Sequence, residues 1–149
     1  YTTLFRSRPR RALHAATAER LIAQLFGGEL AQSAVQKGWD VLANGKRLQV
    51  RSHSKAESNP TQWTPVNAGE FDILIIVVYS QSFKVKAIYS IPVSEIPSEQ
   101  LARGRLSWRQ VDRHRVFPGS LSVPSALEPL FLMTHNAGGE AAKVQVQPP

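Results

Sequence analysis

The sequence predicts a mixed α/β (or α+β) domain, with an N-terminal helix packed on a mixed central sheet. Three observations carry this. Ala15, Ala18, Leu21, Ile22, Leu25 and Phe26 recur at helical spacing and are followed by Gly27-Gly28, a helix stop. Asn44-Gly45 stands between two apolar stretches as a hairpin signal, because both central residues of such a turn must accept positive φ. Ile73 to Tyr79 is dense in β-branched residues, and the stretch after it alternates.

In chain order, residues 1–11 carry Arg6, Arg8, Arg10 and Arg11 with no acid and are interrupted by Pro9, so they read as an extended basic arm. The folded domain is expected over 12–135, and 136–149 reads as a weakly ordered tail. The helix runs from Arg11 to Phe26. Glu19, three residues before Ile22 and seven before Phe26, leans toward its apolar side. Glu29 to Lys37 shows no decisive pattern, a short strand or a turn. Trp39 to Leu42 and Arg47 to His53 are the hairpin strands. Residues 54–70 are polar with Pro60 and Pro65, a loop. Phe71 to Tyr79 is a central strand covered on both faces. Phe83 to Ile91 pairs back on it nearer an edge, with Lys84 and Lys86 on one face. Ser98 to Arg103 fits a short capped helix, and Ser125 to Met133 a last short helix interrupted by Pro129.

A chain of 149 residues is long enough to bury a core as one domain. The absence of Cys excludes disulfides, Cys-ligated zinc, iron–sulfur clusters and thiol catalysis in these residues. The longest unbroken apolar run, Ile73 to Tyr79, is too short for a helix to span a bilayer, so no membrane span is expected. No signal-peptide pattern opens the sequence, which implies a cytoplasmic setting, and the first residue is Tyr1, which fits a piece of a larger chain. Lys and Arg outnumber Asp and Glu by 18 to 11, a formal net charge of +7. A fold does not require that imbalance; a polyanion rewards it, nucleic acid first and an anionic membrane surface second.

The hairpin makes a geometric prediction. With a two-residue loop, Ala43 faces Lys46, Leu42 faces Arg47, Val41 faces Leu48 and Asp40 faces Gln49. Arg51 points to the same face as Gln49, while Leu48 and Val50 point to a core. Asp40, Gln49 and Arg51 are thereby gathered into one polar cluster. A carboxylate and a neighbouring amide oxygen suit Mg²⁺, with Mn²⁺ as a substitute, and the Val50 carbonyl is a further candidate ligand. Such a cation polarises a phosphate and acidifies water, and an adjacent guanidinium stabilises charge on the phosphoryl oxygens. Glu19 would add a carboxylate from the helix.

Glu19 on a first helix, Trp39-Asp40 before a hairpin, and Gln49-Val50-Arg51 on the return strand resemble the PD-(D/E)XK nuclease superfamily, the restriction-endonuclease-like fold. The resemblance covers about half the chain, from roughly Ala12 to Tyr79. It implies metal-dependent endonucleolytic hydrolysis of DNA, with Asp40 and Gln49 as metal ligands, Arg51 in the place of the family's Lys and Glu19 as an accessory acid. It also implies a homodimer as one assembly. Two departures stand out: Arg51 cannot deprotonate to act as a base, and Gln49 contributes no charge. A third concerns connectivity, since the family has a helix between its third and fourth core strands and Tyr79 to Lys84 is too short to hold one.

Other readings of the same residues remain open. Asp40 and Arg51 also fit a cross-strand surface ion pair with Gln49 solvated beside them, and Glu19 an ordinary helix residue. Glu70 and Asp72 fit strand-end carboxylates. His53 continues the Gln49–Arg51 face toward a phosphate or is a satisfied polar residue. For nucleic-acid contacts, the arm residues Arg6, Arg8, Arg10 and Arg11 are joined by Lys46, Arg47, His53 and Lys55 around the hairpin. Arg105, Trp108, Arg109, Arg113 and Arg115 form a second group, where an aromatic among cations suits stacking on unpaired bases. The alternative to a nuclease is an inactive nucleic-acid-binding module of the same fold, within a larger protein.

Overall fold

The computed structural model describes residues 10–32, 38–54, 61–62 and 68–133. It is a mixed α/β structure. Helix α1 (Arg10–Phe26) is followed by strands β1 (Glu29–Leu30), β2 (Val41–Ala43), β3 (Lys46–His53), β4 (Thr61–Gln62), β5 (Ile73–Tyr79) and β6 (Val85–Pro92). Helix α2 (Ser98–Arg103), strand β7 (Arg105–Leu106), helix α3 (Trp108–Asp112) and strand β8 (Arg115–Phe117) complete the regular elements, with a 3₁₀ segment at Ser125–Leu130. Six strands form one sheet in the order β1-β2-β3-β5-β6-β8, and β4 pairs with β7 in a two-stranded ribbon.

The Asn44-Gly45 turn sets the register as its chemistry requires. Asn44 and Gly45 have φ of 51° and 74°, and Val41 faces Leu48, Leu42 faces Arg47 and Ala43 faces Lys46. Strand β3 then runs parallel to β5, from Leu48 opposite Ile73 to His53 opposite Val78, and β5 pairs antiparallel with β6.

Strand β5 is covered on both faces, as its unbroken apolar run demands. Ile75, Val77 and Tyr79 join Val41, Leu48 and Val50 beneath Ala18, Leu21 and Ile22 of α1. Leu74, Ile76 and Val78 face Leu101, Leu106 and Val111 on the other side. Helix α1 sits close over β2 because Gly28 has no side chain. A Cβ there would lie 2.6 Å from the Leu42 carbonyl oxygen and 2.8 Å from the Ala43 Cβ.

Two expectations are corrected and two stand. Strand β2 starts at Val41, leaving Trp39 and Asp40 just before it. Strand β6 pairs back on β5 nearer an edge, as expected, with β8 beyond it. The last helix is a 3₁₀ segment ending at Leu130, and Phe131 then bridges to Val85. The departure in connectivity stands: the turn after Tyr79 holds no helix, and in the parallel crossover from β3 to β5 the described residues hold β4 and a 3₁₀ turn at Ala68–Glu70 and no α-helix. Among the described residues no helix is long and apolar enough to cross a membrane.

Candidate active site at the edge of strand β3

Strand β3 has eight residues and its partner β2 has three, so the outer edge of β3 outruns its neighbour after Gln49. The backbone N–H of Val50 there needs an acceptor, and Asp40 supplies one from the residue before β2. Asp40 Oδ2 accepts the Val50 N–H at 2.8 Å and the Gln49 side-chain amide at 2.9 Å. Arg51 Nη1 lies 3.9 Å from the same oxygen and donates to the Val50 carbonyl at 3.0 Å. The N–H and C=O of one strand residue point to the same edge. Arg51 therefore reaches from the face it shares with Gln49 to the sheet edge. The charge of Glu19 acts electrostatically on both Asp40 and Arg51.

The structure thus brings Asp40, Gln49 and Arg51 together in one notch at the sheet edge, and Glu19 on α1 is near enough for its charge to act on Asp40 and Arg51. Gln49 is 3% exposed and is the one buried polar residue in the described core, its amide satisfied by Asp40. Burial dominates the electrostatics. It raises the Glu19 carboxyl from 4.5 to about 6, reinforced by the Asp40 charge and opposed by Arg51. Burial also raises the Asp40 carboxyl above the usual range, against the lowering effect of the Val50 N–H, Arg51 and Gln49. Arg51 is pulled down by burial and held up by the two carboxylates, and a guanidinium so placed keeps its charge.

Two carboxylates and one guanidinium, half-buried together, leave one negative charge in excess. A hard divalent cation would offset it, and the Asp40 and Glu19 carboxylates are the donors that suit one. Gln49 turns its amide NH₂, not its oxygen, to Asp40, and the Val50 carbonyl carries Arg51, so neither is presented to a cation as it stands. Among the described residues no group of three or more His, Asp or Glu side chains converges.

The remaining candidates divide. Arg47 is engaged by an acid: its Nε and Nη2 each lie 3.2 Å from Asp72, its backbone N–H donates to Asp72 at 2.8 Å, and Nη1 donates to the Gly69 carbonyl. It clips the start of β5 to β3 and is not an open phosphate contact. Trp108 is likewise corrected. The Ser107–Gln110 capping box fixes the start of α3, and the indole packs into the second core, 5.7 Å from the Tyr89 ring and 6.0 Å from His53. It is half-buried there, packed against that core. The S-x-x-Q spacing was a readable sign of that cap.

Lys46, Arg105, Arg109 and Arg115 are exposed, and Arg113 is exposed with Glu95 at 3.7 Å. Arg10 and Arg11 lie in α1, but their side chains, like Arg6, Arg8, Lys55 and the 136–149 tail, fall outside the described residues. An apolar hollow lined by Phe117, Pro118, Leu121, Val123 and Met133 lies by β8, at the opposite end of the strand order. It contains no titratable group.

No protein-family model matches the chain, and no curated protein matches it.

Proposed function

We propose that this domain binds DNA and hydrolyses its phosphodiester bonds with a divalent cation, Mg²⁺ or Mn²⁺, as a nuclease of the PD-(D/E)XK type. The observation that carries this reading is the convergence of Asp40, Gln49 and Arg51 at one half-buried sheet edge, with the Glu19 carboxylate acting on Asp40 and Arg51 electrostatically. That is the set on which the resemblance rests.

Each residue has a distinct task. Asp40 is locked by Gln49 and the Val50 N–H, so its second oxygen holds a fixed direction. Asp40 and Glu19 would hold the cation, which when bound polarises the phosphate and acidifies a water. Arg51 stays charged, so it neutralises phosphoryl oxygens and cannot serve as the base.

The test is nicking of supercoiled plasmid with Mg²⁺ or Mn²⁺. The expected result is cutting by the unmodified chain and loss of cutting in Asp40→Asn and Glu19→Gln, both checked for folding by circular dichroism. Cutting that persists in both variants removes the notch from the reaction.

One observation favours a second reading, binding without cutting. The Arg51 guanidinium lies against Asp40 Oδ2 and on the Val50 carbonyl, two of the oxygens a cation would use, so the notch carries a cation of its own. In that case DNA is bound without metal and stays intact. The log–log salt dependence would then have a slope of roughly 0.9 per duplex phosphate contacted.

A further inference from the structure

The turn between β5 and β6 holds a feature that neither the sheet nor the notch explains. Phe83 has φ of 65°, in the left-handed region where Gly or Asn is the ordinary residue and a bulky side chain is strained. The turn is otherwise well tied: Ser80 N–H donates to the Lys84 carbonyl, Phe83 N–H to the Ser80 carbonyl, and Lys84 N–H to the Ser80 hydroxyl. Burial does not compensate for the strain, because the Phe83 ring is 40% exposed. Among the described residues it is the one aromatic ring left exposed. It lies 4.2 Å from the His14 ring and 5.2 Å from that of Tyr79, and His14 stacks on Tyr79 at 5.2 Å and 19°. Tyr79 is 2% exposed and forms a rigid floor. Strained backbone that presents a chemical group is a recurring mark of binding sites.

His14 and Glu19 are on the same helix, five residues apart, about 7.5 Å along its axis and about 140° around it, so the trio and the notch lie on different sides of that helix. Lys84, next to Phe83, is exposed.

Resting on the nucleic-acid reading above, we propose that Phe83 and His14 form a stacking platform for one unpaired nucleobase. The preferred substrate is then DNA with a single-stranded or frayed element, rather than continuous duplex. Every base has an apolar face to stack, so the platform selects unpairedness and not sequence.

Binding measured by fluorescence anisotropy in EDTA, with labelled oligothymidine and with a duplex of equal length, tests this. Phe83→Gly suits the backbone better than Phe does, so it removes the ring without straining the turn. It should weaken oligothymidine binding by about tenfold, the loss of one stacked base, while duplex affinity and melting temperature hold. Phe83→Trp should restore oligothymidine binding, and the emission of the new indole should be quenched when oligothymidine binds. Equal oligothymidine affinity in Phe83→Gly and the unmodified chain overturns the platform, as does a new indole that bound oligothymidine leaves unquenched. If the unmodified chain binds neither probe, the nucleic-acid reading fails first and the platform with it.

Discussion

Arg47–Asp72 and Arg51–Asp40 are the same two residue types, with the arginines four positions apart on β3, and they behave in opposite ways. Arg47 meets Asp72 through two side-chain hydrogen bonds of 3.2 Å and a backbone N–H, and the pairing lowers the Asp72 carboxyl and raises the guanidinium. Each partner stabilises the charge of the other. Arg51 stands 3.9 Å from Asp40, and burial raises that carboxyl and lowers that guanidinium. Side-chain exposure separates the pairs only modestly, at 37% and 32% against 27% and 24%. What differs is the protein packed around them, which removes solvation from Asp40 and Arg51 without bringing them into direct contact. The first pair is a clip for the sheet. The second keeps charge under tension where a substrate or cation can relieve it.

The largest effect that separates the two pairs should come from their acids. Asp40→Ala strips the acceptor from the Val50 N–H and the Gln49 amide, a loss of about 3 kcal/mol by thermal or urea unfolding, and lowers plasmid nicking at least ~100-fold. Asp72→Ala should cost much less stability and leave nicking unchanged. Equal losses in the two variants would erase the distinction.

Glu19→Gln sharpens it next, because here stability and activity should move apart. A carboxyl raised from 4.5 to about 6 destabilises the fold when ionised. The full shift corresponds to about 2 kcal/mol, and solvent screening of a half-buried group reduces that to about 1 kcal/mol. At pH 8 Glu19→Gln should therefore melt higher than the unmodified chain while losing its nicking.

The same linkage fixes a pH dependence of known sign. Between about pH 4.5 and 6 the folded chain holds more protons at Glu19 than the unfolded chain does, so stability falls as pH rises through that window and levels above it. The raised Asp40 carboxyl adds to the same trend. Asp72, depressed below 3.8, acts in the other direction, and its contribution is lost as the solution is acidified below that value. Melting curves across pH 4–8 should show the decline in the unmodified chain and a shallower one in Glu19→Gln. The smallest effects belong to charges outside both pairs. Arg105→Ala, Arg109→Ala or Arg115→Ala should each reduce the salt slope of DNA binding by about 0.9 for each duplex phosphate that the arginine neutralises, with no change in melting temperature.

What could be read from the sequence follows the range of the interactions. Asn44-Gly45 specifies its turn through two backbone dihedrals, and from that alone the pairing of β2 with β3 followed to the residue, and with it the approach of Asp40 to Gln49. The helix stripe and the doubly covered β5 were equally local. The parallel pairing of β3 with β5 was not, because residues 54–72 separate them and nothing in either strand names its partner. Arg47 was misjudged for the same reason: its acid lies 25 residues away. Trp108 looked like an open ring because its neighbours in sequence are cations, whereas its neighbours in space are Tyr89 and His53. Phe83 gave no signal at all, since its interest lies in a backbone angle.

The mismatch in length between β2 and β3 has one more consequence. A strand that outlasts its neighbour offers bare main-chain groups to any passing chain, a template for association between molecules. Here both groups of Val50 are stoppered by side chains, the N–H by Asp40 and the carbonyl by Arg51. Asp40 and Arg51 therefore also cover the main chain of Val50, and a variant that removes either side chain leaves one of those groups without its partner.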